Sequence, residues 1–97
     1  MIESREKQLR ADLEQVHRDV ERELQKCRGG EKTVGTLAQL EVIERELRKM
    51  IVTLDSGVLP PRADRSPGLW HIVTDSWESR DPLGEKIVAA ELAYERL

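Results

Sequence analysis

Apolar residues fall on a helical stripe from Leu9 to Cys27, break off at Gly29-Gly30, and resume from Leu37 to Leu54. In the first stretch Leu9, Leu13, Val16, Val20, Leu24 and Cys27 are spaced four, three, four, four and three apart, the period of a straight α-helix with one buried face. In the second, Leu37, Leu40, Ile43, Leu47, Met50 and Leu54 repeat the pattern, and Val42 and Ile51 widen the face. Glu14 to Arg18 and Glu44 to Arg48 stand four apart with the acid first, the favourable order on a solvated face. Lys26 and Arg28 offset the negative end of the first helix, and the glycines after them offer a left-handed stop. Thr36-Leu37-Ala38-Gln39 has the form of a capping box, with Thr33 as an earlier competitor, and Gly57 ends the second helix. The pattern predicts an antiparallel helical hairpin over residues 1–57, with helices at about 3–28 and 36–55 and rods of about 40 and 30 Å.

The grammar changes over residues 58–81. Pro60-Pro61 is extended, and the stretch from Arg62 to Gly68 reads as a polar, turn-rich loop. Residues 69–77, LWHIVTDSW, are rich in β-branched and aromatic side chains, which predicts an extended or single-strand segment with its tryptophans as anchors. Asp81-Pro82 then opens a third helix over 82–97, since Asp accepts free backbone N–H groups and Pro suits the first helical position. Leu83, Ile87, Ala90, Tyr94 and Leu97 follow at helical spacing. The expected fold class is therefore all-α for the most part, in one domain.

Composition narrows the function classes. At 97 residues the chain has little room for a deep catalytic cleft. Charged residues make up 36% of it, yet the net charge is −3 and both signs are interspersed. No concentrated basic face exists to displace counterions, so nucleic acid is not an expected partner. No apolar run reaches the roughly 18 residues of a membrane span, and the N-terminus lacks an apolar leader. A single cysteine, Cys27, excludes an internal disulfide, and no Cys or His pair has metal-ligand spacing. A cytoplasmic protein without cofactors is the expectation.

The one polar-aromatic concentration is Trp70, His71, Asp75, Ser76 and Trp77. There His71 and Asp75 are a candidate base and orienting carboxylate in a small-ligand or anion site. The bland alternative, that the tryptophans pin the segment while His71 is an ordinary surface residue, fits better, because no nucleophile or oxyanion donors accompany them. Ser76 lacks a glycine-flanked elbow, and Gly29-Gly30 and Gly35 lack the Lys and Ser/Thr of a phosphate loop. Cys27 reads as small-hydrophobe packing and His17 as a boundary residue. The chain is not expected to be an enzyme.

A charged helical hairpin followed by an extended segment and Asp81-Pro82-Leu83-Gly84 loosely resembles the Gre-type transcript cleavage factors. The resemblance implies a polymerase-associated coiled-coil factor. Those factors hold a metal with acids at the finger tip, whereas here the tip, Cys27 to Thr33, carries one acid between two bases, and the C-terminal part is short for their β-domain. Membership is not assigned.

The sequence thus favours a non-catalytic protein–protein interaction protein: an adaptor, regulator or assembly subunit. Two helices leave their apolar faces partly wet, so the hairpin is expected to self-associate as a homodimer or other homo-oligomer, or to bind another protein. Leu40, Ile43, Leu47, Met50, Ile51 and Leu54 are the expected interface, with Trp70 and Trp77 holding the tail.

Overall fold

The computed structural model describes residues 2–65 and 68–97, with side chains from Arg5 onward. These residues form four α-helices, Ile2–Arg28 (α1), Leu37–Ser56 (α2), Leu69–Ser76 (α3) and Pro82–Glu95 (α4), with one 3-10 turn at Arg62–Asp64. No strand occurs among them. α1 packs along α2 as the expected hairpin and along α4 on another side, while α3 lies against α4. The molecule measures 42 × 22 × 19 Å, its long dimension that of α1.

Local chemistry closes the hairpin elements. After Arg28 the N–H of Gly30 donates to the Cys27 carbonyl at 3.1 Å and that of Glu31 to the Lys26 carbonyl at 2.9 Å, with Gly30 at φ 85°. This is the paired-bond helix stop that favours glycine at its left-handed position. Thr36 Oγ1 accepts from the Gln39 N–H at 3.1 Å, and Gln39 Oε1 accepts from the Thr36 N–H at 3.0 Å. The capping box is therefore complete, and Thr36 prevails over Thr33. At the open end of the hairpin, Arg10 donates to Asp55 through Nε at 2.6 Å and Nη2 at 3.0 Å, a two-pronged clamp between the start of α1 and the end of α2.

One expectation is corrected. Residues 69–77 are not extended: Leu69–Ser76 is helical and ends at Trp77. Alternation suggested a strand, but Leu69, Ile72, Val73 and Trp77 also fall at helical spacing, and these are the residues that pack inward. β-branched content yields to that packing and to a carboxylate from α4 that caps the helix. The apolar stripes of the hairpin are largely covered within the chain. Leu40, Ile43, Leu47 and Met50 are buried within a single chain, in one core with Leu13, Val20, Leu69, Trp77, Ile87 and Tyr94. α3 and α4 form a second helical pair, and α4 packs along α1. Ile51 and Leu54 are half-buried at the edge of this core.

Candidate functional site

Trp77 joins the two helical pairs. Its indole Nε1 donates to Gln39 Oε1 at 3.1 Å, so the side chain that caps α2 also holds the C-terminal end of α3. A Cβ on Gly35 would lie 2.8 Å from Trp77 Nε1, and one on Gly84 would lie 3.3 Å from Trp77 Cε3 and 2.8 Å from Val73 Cγ1. Both glycines are thus required by close approach, one in the hairpin loop and one in the first turn of α4.

α3 has no cap of its own, since its N-terminal flank is Gly68. Glu91, in the C-terminal half of α4 and 1% exposed, supplies one. Its Oε2 accepts from the Leu69 N–H and its Oε1 from the Trp70 N–H, both at 2.9 Å. A buried carboxylate with both oxygens engaged at the positive end of a helix is a satisfied group, and it fixes α3 against α4. Asp81, as expected, caps α4 by accepting from the Gly84 N–H at 3.0 Å. The turn between the helices places Arg80 at φ 64°, a left-handed conformation uncommon for a residue with a side chain.

The outer face of this second pair is concave. A cleft of about 490 Å³ is floored by Val73, Trp77, Gly84 and Val88 and edged by Glu78, Arg80 and Glu85. It shares Thr74 and Val88 with an adjoining groove of about 240 Å³ lined by Trp70, Leu92 and Glu95. Trp70 and Leu92, each 41% exposed, are the large apolar side chains left on this face.

The predicted ligand residues lie elsewhere. His71 and Asp75 stand one turn apart on the exposed side of α3, and neither lines the cleft or the groove. The His71 ring stacks on Trp70, with centroids 3.6 Å apart. Trp77 anchors the tail, whereas Trp70 faces outward. On the hairpin, His17 Nε2 is 2.8 Å from Glu44 Oε2, which links α1 to α2, and Cys27 is half-buried against the core. The hydrogen bonds from Arg10 hold the Asp55 carboxyl below its ordinary range, and the same bonds raise the Arg10 guanidinium. Among the described residues, no group of three or more His, Cys, Asp or Glu side chains is placed to hold a metal ion, and no helix is long and apolar enough to cross a membrane.

Sequence reasoning missed Glu91, Gln39 as a partner of Trp77, and the close approaches at Gly35 and Gly84. One signal was available: Glu91 interrupts the apolar stripe of α4 between Ala90 and Tyr94, where a charge needs a partner. The chain matches no family model, no curated protein and no solved structure.

Proposed function

We propose that this chain is a non-catalytic protein–protein interaction protein, an adaptor, regulator or assembly subunit, which engages another protein through the outer face of α3 and α4. The observation that carries this reading is the trough in which Trp70 and Leu92 remain 41% exposed, while the rest of the large apolar set of these helices is covered. A partly exposed tryptophan beside an aliphatic groove is a characteristic anchor of protein interfaces. The hairpin seam has no such vacancy, because Leu40, Ile43, Leu47 and Met50 are already enclosed by the chain's own helices. The α3–α4 face therefore replaces the hairpin as the proposed contact surface.

A photo-crosslinking residue tests this. Placed at position 92, it is expected to capture discrete protein partners in cells, and placed at Val52, an exposed position on α2, it is expected to capture few. The same capture from both positions removes the reading.

A second reading, a small-ligand site, is favoured by the volume of the larger cleft, about 490 Å³, which lies in the range of ligand pockets. Its lining includes Thr74, Trp77, Ser79 and Arg80 in place of His71 and Asp75. Val88→Trp, which fills the floor, is then expected to abolish thermal stabilisation by any compound found to bind. The polymerase-associated reading gains no supporting feature at the hairpin tip, where Arg28 lies 3.4 Å from Glu41.

A further inference from the structure

The trough between α3 and α4 is apolar along its floor and acidic along its rim. Glu78 and Glu85 edge the larger cleft, and Glu95 edges the groove beside Trp70 and Leu92. None of these three has an ion-pair partner among the described residues, although most carboxylates of the hairpin do. Glu14 meets Arg10 at 2.7 Å, Asp55 meets Arg10 at 2.6 Å, Asp19 meets Lys86 at 3.4 Å and Glu44 meets Arg48 at 3.6 Å. The other two acids of the trough are engaged internally, Asp81 and Glu91 each accepting backbone N–H groups. Among the described residues, Arg80 is the only basic one lining it. Most hairpin carboxylates are thus paired, whereas the rim of this trough carries three acids without an ion-pair partner among the described residues, against one base, Arg80.

We infer that the occupant of this trough is a basic amphipathic helix of a partner protein, an inference that rests on the α3–α4 face being the working surface. Lys or Arg side chains answer Glu78, Glu85 and Glu95, and apolar side chains spaced i, i+3/i+4 and i+7 meet Trp70, Val88 and Leu92. From Glu85 to Glu95 α4 extends about 15 Å, the length of roughly three helical turns, which sets the size of the docked segment. Phosphate-bearing surfaces are repelled by the same acids. A second copy presenting the same face would bring a second acidic rim against the first, which disfavours the two-fold pairing typical of homodimers.

The test uses the full chain and two synthetic peptides of about 14 residues, long enough for the three turns plus frayed ends. One carries leucine on one helical face and lysine elsewhere, and the other replaces every lysine with glutamate. The lysine peptide is expected to shift backbone amide resonances of residues 69–95 and to bind at least about tenfold more tightly than its glutamate counterpart. Replacing Glu78, Glu85 and Glu95 together with glutamine is expected to weaken it by about tenfold or more. Shifts centred on α1 and α2, or equal binding to the triple variant, overturn the inference. Equal binding of both peptides at residues 69–95 also overturns it but leaves the face a docking surface. Failure of both peptides to perturb those residues, with an unchanged crosslinking pattern in Trp70→Ala, removes the inference and the underlying reading together.

Discussion

The two helical pairs of this molecule are specified over different distances. In the hairpin, the boundaries at the loop are set by residues within a few positions of them: Thr36 and Gln39 cap α2, and Gly30 stops α1. In the second pair, α3 is an eight-residue helix, too short to persist in water alone, whose free N–H groups are met by a carboxylate 22 and 21 residues away. Its far end is held by a bond from Trp77 to Gln39, 38 residues distant. The hairpin loop boundaries thus follow from local chemistry, whereas the ends of α3 are held by groups from α4 and from the start of α2.

The strongest way to break this contrast is Trp77→Ala. Removing a buried indole at a junction costs about 3–5 kcal/mol in comparable cores. The loss is expected to be uneven, with amide exchange accelerating across residues 69–97 while the protected amides of α1 and α2 slow-exchange nearly as before. Uniform acceleration across the whole chain would mean that the two pairs fold as one cooperative unit and that the contrast is one of wiring only.

Glu91→Gln sharpens the same point at smaller cost. Glutamine retains one carbonyl oxygen but loses the charge and the second acceptor, leaving a buried N–H of α3 unmet at about 1–3 kcal/mol. Thr36→Ala removes a local cap for about 1 kcal/mol. Chemical denaturation should rank them in that order. Exchange at Leu69 and Trp70 should respond to the first change and amides near Gln39 to the second.

The same difference in range explains what was legible in the sequence. α1, α2 and the start of α4 were readable because apolar period and cap lie in one window, as Thr36 with Gln39 and Asp81 with Pro82 do. α3 was not, because its cap belongs to α4 and its β-branched residues suggested a strand when read alone. Trp77 was readable as an anchor, but its seat against Gly35, Gln39 and Gly84 required three distant segments to be in place.

Within the hairpin, the Arg10–Asp55 clamp offers a pH-dependent comparison. Arginine stays charged throughout, so the titrating partner is Asp55, whose folded carboxyl sits below its unfolded value because of the bonds from Arg10. Its contribution is complete above the ordinary carboxylate range of about 4 and is lost as pH falls through the depressed folded value. Urea midpoints of the parent and Asp55→Asn should therefore differ at neutral pH and converge in acid. Because both side chains are substantially exposed, the effect is smaller than those above. A difference that persists unchanged in strong acid would show that the clamp is not electrostatic.

The smallest expected effect on stability belongs to Trp70→Ala, and that is its value. Trp70 and Trp77 stand at opposite ends of the same short helix, yet the indole of Trp77 is bonded and enclosed while that of Trp70 stacks on the neighbouring His71 ring and is 41% exposed beside the groove. Truncation there should alter the unfolding free energy by no more than about 0.5 kcal/mol, the usual range for surface changes. A larger loss would mean that Trp70 supports α3 as Trp77 does, and its exposure would then be a structural compromise. If stability holds while partner capture from position 92 falls, the second helical pair separates cleanly into an indole that builds the face and an indole that uses it.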